Sequence, residues 1–217
     1  MAMFDVSSVR CTAGGRTILD VNQCAIAEGD HVLLQGLSGS GKTTLMSVLA
    51  GLRKPDSGRV AFRGQDLAQM NADDLDLLRG ATFGFVMQGF HLLRHLSVAE
   101  NLALARYAGG LSSDDQKIKS VLERLDISHL SDARASTLSM GEAQRVAVAR
   151  ALMNDPAVIF ADEPTSALDD LHAGLIISLL IEQAQMSNAA LIVATHDARI
   201  KSRFSRVINI HGGRVAA

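Results

Sequence analysis

Gly36-Leu37-Ser38-Gly39-Ser40-Gly41-Lys42-Thr43 is the stretch on which the reading of this sequence turns. It fits G-x-x-x-x-G-K-[ST], follows the apolar run His31 to Gln35, and leads into the helical pattern Thr44 to Ala50. Strand, glycine turn and helix in that order make a phosphate cradle. The glycines let backbone N–H groups converge on phosphate oxygens, and the helix N-terminus behind them adds about half a unit of positive charge. Lys42 is placed to hold the β and γ phosphates, and the Thr43 hydroxyl suits a Mg²⁺ ion that keeps several waters and bridges phosphate oxygens. Gly36, Ser38, Gly39, Ser40, Gly41 and Thr44 complete the cradle.

Outward from this loop, short apolar runs recur at Phe83 to Met87, Ala157 to Ala161 and Leu191 to Ala194, separated by segments of helical period. Such alternation predicts an α/β fold with a mainly parallel sheet, and the near-continuous apolarity of the runs predicts burial on both faces. Half-polar stretches around Phe4 to Arg10 and Gly58 to Arg63 alternate instead, and read as an antiparallel flank. Ser97 with Glu100, Ser113 with Gln116 and Ser139 with Glu142 have capping-box spacing, in which a serine and an acid or amide three residues on satisfy exposed helix N–H groups. From about Ser97 to Arg134 only helical periodicity is visible. The chain therefore reads as one domain over residues 1–217, with a core of about 1–96 and 135–217 and a helical subdomain of about 97–134.

Composition narrows the function class. The 217 residues carry 21 Lys and Arg against 23 Asp and Glu, for a net charge of −2, so no global basic field points to nucleic acid. Apolar residues make up 47%, yet the strongest run, Leu175 to Ile181, is far below the roughly 20 residues of a membrane span. Cys11 and Cys24 have neither the spacing nor the number of a disulfide framework or zinc site, and read as reduced cytosolic thiols. Met1 to Arg10 includes Asp5 and lacks the basic and apolar regions of a secretory leader.

A phosphate loop alone serves many functions. Ala157-Val158-Ile159-Phe160-Ala161-Asp162-Glu163 is a buried strand ending in two acids, where open α/β sheets place their ligands. Asp162 suits the metal shell, and Glu163 is placed to orient or deprotonate an attacking water. Between the loop and these acids lies Leu138-Ser139-Met140-Gly141-Glu142-Ala143-Gln144-Arg145, which resembles the signature motif of the ABC (ATP-binding cassette) family. Ser139 opens a helix whose N–H groups at Met140 and Gly141 form a second anion site. Gln88 in Phe85-Val86-Met87-Gln88 resembles the family's Q-loop, Ser166-Ala167-Leu168-Asp169 its D-loop, and His196 in Ala194-Thr195-His196-Asp197 its switch histidine.

The resemblance implies a P-loop NTPase of RecA-like type in the ABC ATPase fold. It further implies ATP and Mg²⁺ as ligands, and hydrolysis through Glu163, His196, Gln88 and Lys42, with Thr43, Gln88 and Asp162 around the metal. ATP would also meet Ser139, Gly141, Glu142 and Asp169 of a second copy of the chain, joined head to tail. Gly84 to Leu93 and Ala161-Asp162-Glu163-Pro164-Thr165 resemble the lipoprotein-releasing and macrolide-export subgroup, whose cassettes work on integral membrane permease subunits at the cytoplasmic face of the inner membrane. An importer subunit, or a soluble ABC ATPase, is the alternative. Phe90, Leu92, Leu93 and Leu96 form the expected docking patch for the permease. No aromatic residue stands between Arg10 and Gly15, where many relatives stack the adenine, so GTP is expected to compete with ATP. Met140 replaces the usual first glycine of the signature.

Overall fold

The protein's structure, a computed structural model, describes residues 2–166 and 170–215. Four apolar runs become neighbouring parallel strands: β3 (His31–Gln35), β6 (Phe83–Val86), β7 (Val158–Asp162) and β8 (Ala190–Thr195). With β9 (Arg206–His211) they lie in the order β9-β3-β8-β7-β6, every neighbouring pair parallel. Beside them lies the flank β1 (Ala2–Ala13), β2 (Arg16–Ala27), β4 (Ser57–Phe62) and β5 (Gln65–Asp66), paired antiparallel. β10 (Arg214–Val215) joins the halves, parallel to β2 and antiparallel to β9, giving a ten-stranded sheet.

Burial on both faces of the parallel strands holds residue by residue. Val32 and Leu34 of β3, Phe160 of β7 and Ile192 of β8 enter one apolar cluster, whereas Leu33, Ile159, Leu191 and Val193 enter the other. Strand side chains alternate with period two, so a continuous apolar run feeds two cores at once. The first core lies between the flank and the parallel strands and encloses α1 (Lys42–Leu49). Phe4, Phe62, Phe83 and Phe160 close it with ring centroids 5.0 to 6.1 Å apart, largely tilted or edge to face. The second core packs α3 (Val98–Ala108), α4 (Asp115–Arg124), α5 (Met140–Leu152) and α6 (Asp170–Ser187) on the opposite face.

Two of the three capping boxes form as spaced, Ser97 with Glu100 and Ser139 with Glu142. The third is a correction. Helix α4 is capped by Asp114, whose carboxylate accepts the Lys117 N–H, so Ser113 lies outside the helix. Aspartate and serine are comparable caps, and this start turns Ile118, Val121 and Leu122 into the core. The sequence reading also passed over β2 and α2 (Ala72–Thr82). Gly14 and Gly15, at φ 55° and 74°, form the two-residue hairpin turn that returns β1 into β2. Helix α2 has no fully buried residue and touches the first core only through the partly buried Leu75 and Leu78, and its start is fixed by Asn71 accepting the Asp74 N–H.

Candidate active site

The C-terminal ends of β3, β7 and β8 carry the chemistry. Gly36 leaves β3 under contact so close that a Cβ there would sit 2.3 Å from the Ile210 carbonyl and 2.4 Å from Ser40 Oγ, so no larger residue fits. Gly41, at φ 108°, is the N-cap of α1 and contributes no side-chain cap; no acid stands in the first turn. The leading N–H groups of α1 are thus left to an external anion. Leu37, Ser38 and Gly39 are exposed above it, and the Ser40 hydroxyl is buried without a hydrogen-bond partner.

Lys42 is only 5% exposed. Its ammonium donates to the carbonyls of Gly36 (2.9 Å) and Leu37 (3.1 Å), and lies 3.6 Å from Glu163 Oε1. A buried ammonium needs such partners, and phosphate oxygens can replace them. One residue on, the Thr43 hydroxyl donates to Asp162 Oδ2 at 3.1 Å. Burial pushes the Asp162 carboxyl above the usual carboxylate range, against the opposing Thr43 hydrogen bond. Two hard oxygen donors at that spacing, on a carboxylate disfavoured as a bare anion, fit a hydrated Mg²⁺.

Glu163 follows Asp162 with φ 47°, a left-handed conformation unusual for a residue with a side chain. Its N–H donates to the Ala194 carbonyl at 2.8 Å, carrying the β7 to β8 pairing one residue past the strand. The side chain then folds across the end of β8. Oε2 accepts the Thr195 hydroxyl at 2.7 Å, and Oε1 lies 2.9 Å from His196 Nδ1. Lys42, Thr43, Asp162, Glu163 and His196, which are scattered over the sequence, thus form one connected cluster. Gln88 lines a narrow cleft with Glu163 and Met140.

Several supporting residues were not singled out from sequence. Gln144, buried in α5, donates to the Pro164 carbonyl at 2.6 Å and ties the signature helix to the segment after Glu163. Thr165 donates to Asp197 at 2.9 Å, and Asp197 also takes Arg199, whose bonds hold its carboxyl down to about 2. Arg150 donates to the Phe90 and His91 carbonyls. Those two residues have φ 55° and 49°, so α5 clamps a left-handed turn just beyond Gln88. Gln144 and Thr195 lie inside quoted motifs, but nothing in a lone sequence separates them from their neighbours.

Of the signature residues, Met140 and Gln144 share the cleft with Gln88 and Glu163, and Ser139 and Gly141 do not line it. Ser139, Met140 and Gly141 are exposed at the start of α5. The Ser139 N–H and hydroxyl both donate to Glu142 Oε2 at 2.7 Å, which also holds the Glu142 carboxyl low. Asp169 lies outside the described residues. Of the expected docking patch, Leu92 packs partly against the second core, whereas the Leu93 side chain is exposed and its backbone is held on both sides by buried Asn101. A groove of about 510 Å³ opens between α2, β6, α3 and α5, lined by Leu52, Phe85, Met87, His91, Leu104 and Arg150 among others. In the stretch between Arg10 and Gly15, Cys11 is buried, and Thr12 is fastened to Asp56 through its N–H (2.6 Å) and hydroxyl (2.7 Å).

Comparison with known proteins is consistent with this geometry. Residues 19–166 match the family model described as ABC transporter. The chain is 42% identical over 199 residues to the macrolide export ATP-binding/permease protein MacB of Hyphomonas neptunium, covering 91% of the chain and 31% of that protein. It is 38% identical over 220 residues to the pyoverdine export ATP-binding/permease protein PvdT of Pseudomonas fluorescens, covering 98% and 33%. The chain thus spans about a third of the length of these curated relatives. Among solved structures, the dimeric bacterial cassette MJ0796 superposes with a TM-score of 0.88 at 31% identity, over 99% of this chain and 97% of that one. The same cassette in a post-hydrolysis state bound to ADP and Pi gives 0.87 at 30% identity, over 99% and 97%.

Proposed function

The chain belongs to the ABC transporter family and is an ATP-binding ATPase of it, and from that premise we propose that two copies close head to tail on ATP to drive membrane permease subunits of the export or force-transmitting type. The observation that carries this is the split between a finished cluster at Lys42, Asp162, Glu163 and His196 and an exposed helix start at Ser139 and Gly141.

In this reading the phosphates settle on Gly36, Ser38, Gly39, Ser40 and Gly41 and the first N–H groups of α1, at Lys42, Thr43 and Thr44. The Lys42 ammonium turns from the loop carbonyls to the β and γ oxygens. Thr43 and Asp162, with Gln88, would hold Mg²⁺, which would supply charge neutralisation at the phosphates. Glu163 Oε1 takes a proton from the attacking water as the water oxygen bonds to the γ phosphorus and the bond to ADP breaks. His196 and Gln88 contact the γ-phosphate side, and Ser139 and Gly141 of the second copy close the site, with Glu142 holding the Ser139 turn and Asp169 facing the partner. Most of the catalysis is positioning and electrostatics.

Residues 97–134 act as the helical subdomain, supported by α3, α4 and the isolated antiparallel bridge between Ser97 and Arg134 that closes the segment at its base. The groove beside Met87 and His91 takes the permease, its floor apolar and its rim carrying Asp76, Arg79 and Arg150. Through Arg150, the turn at Phe90 and His91 joins that groove to α5. No helix among the described residues is long and apolar enough to cross a membrane; attachment at the cytoplasmic face of the inner membrane is through the permease. The test is Glu163→Gln, expected to bind ATP yet hydrolyse it at least about 100-fold more slowly. Unchanged turnover contradicts the assignment.

A further inference from the structure

Glu163 has two carboxylate oxygens in different surroundings. Oε1 lies in the open part of the site, 2.9 Å from the exposed His196 ring and 3.6 Å from the Lys42 ammonium. Oε2 meets a fully buried group, the Thr195 hydroxyl, at 2.7 Å. That hydroxyl has one proton to give, and its lone pair is engaged by the Asp197 N–H at 3.0 Å. The rotor is therefore set: the backbone donor fixes the oxygen as acceptor and leaves the proton for Oε2.

Nothing in the backbone of Glu163 fixes where its carboxylate points. Its φ of 47° throws the side chain over the end of β8, and three further rotatable bonds lie between Cα and the oxygens. When ATP draws Lys42 and His196 to the γ-phosphate, both contacts to Oε1 are given up, and the Thr195 bond to Oε2 is the one that remains.

We propose that Thr195 is the positioning residue for hydrolysis: by holding Glu163 Oε2 on the rigid end of β8 it aims Oε1 at the attacking water. The inference rests on the reading of Glu163 as the residue that orients that water. Asp197 extends the device, since it aligns the Thr195 hydroxyl through its N–H and takes Thr165 through its side chain. The aim of Glu163 is thereby joined to Thr165.

The test compares Thr195→Val, Thr195→Ser and Glu163→Gln by steady-state ATP hydrolysis, with nucleotide binding measured separately. Thr195→Val should lower kcat about 10- to 100-fold with KM for ATP changed less than about 2-fold. Thr195→Ser should keep kcat within about 3-fold of the parent, because the hydroxyl is retained. In the Glu163→Gln background, adding Thr195→Val should cost nothing further, since both changes remove the same aimed oxygen. Additive losses, a raised KM, or no rescue by serine would overturn the proposal. If Thr195→Val does not fold, Thr195→Ala removes the same donor with less bulk and is read by the same criteria. A normal rate in Glu163→Gln would instead overturn the reading of Glu163 itself, so the two failures are distinct.

Discussion

The two helix N-termini to which the proposed function assigns phosphate are built in opposite ways. Helix α1 begins on a glycine, has no side-chain cap and no acid in its first turn, and its lysine is folded back on loop carbonyls. Helix α5 begins on a serine whose N–H and hydroxyl are already satisfied by Glu142. The first is held open for phosphate at the cost of unsatisfied N–H groups. The second is a stable helix start that stands by itself in solvent. On the proposed function, the difference means that the grip on nucleotide belongs to one chain and the lid arrives ready-made from another.

The largest effect falls on the first region. Loss of the Glu163 carboxylate in Glu163→Gln, with about 100-fold or greater slowing and retained ATP binding, sets the scale. For the second region, Gly141→Asp is the sharper tool. A Cβ at Gly141 meets nothing within 4 Å, so the fold tolerates the change. An acid in the first turn even suits the helix dipole, by about 0.3–1 kcal/mol. The melting temperature should therefore hold or rise and monomeric ATP binding should persist, while turnover drops about 10-fold or more as the new carboxylate meets the partner's γ-phosphate. A loss of ATP binding in the monomer would place this helix in the same chain's site and break the comparison.

The smallest effect concerns the brace between the regions. The carboxyl of Asp197 is held down to about 2 by Arg199 first, with Thr165 assisting. A depressed acid contributes stability that is complete above its unfolded value of 3.8 and is lost as pH falls through about 2. The Asp197 side chain is only 9% exposed and Thr165 is buried, but Arg199 is 43% exposed and screened by solvent, so the contribution is about 1 kcal/mol. The melting-temperature gap between the parent and Asp197→Asn should narrow as pH drops from about 5 to about 3. A gap that widens would assign the stabilisation to another group.

How much of this was legible depended on how locally each feature is encoded. His31–Gln35 was read to the residue because a strand buried on both faces leaves a continuous apolar run, and Ser139 with Glu142 because a capping box is a contact within one turn. Ser113 was misread because Asp114 offers an equal cap one residue later and tertiary packing of Ile118 decides between them. Strand β2 escaped because its alternation breaks at Asn22 and Gln23, two successive exposed residues between buried Val21 and Cys24. In the site, the motif residues could be named from resemblance. The bonds of Thr195 to Glu163 and of Gln144 to Pro164 span 32 and 20 residues and exist only once the sheet is assembled. In the expected docking patch, Leu92 is drawn partly onto the second core while Leu93 stays exposed, a division that a loop sequence does not show.

The central claim is that hydrolysis needs two copies, and it is tested most directly by sedimentation of Glu163→Gln, with and without ATP, beside the concentration dependence of the parent's turnover. The account predicts a monomer without nucleotide, a dimer with ATP, and a parent rate per chain that rises with protein concentration. A Glu163→Gln chain that binds ATP yet stays monomeric, together with a parent rate per chain independent of concentration, would contradict it.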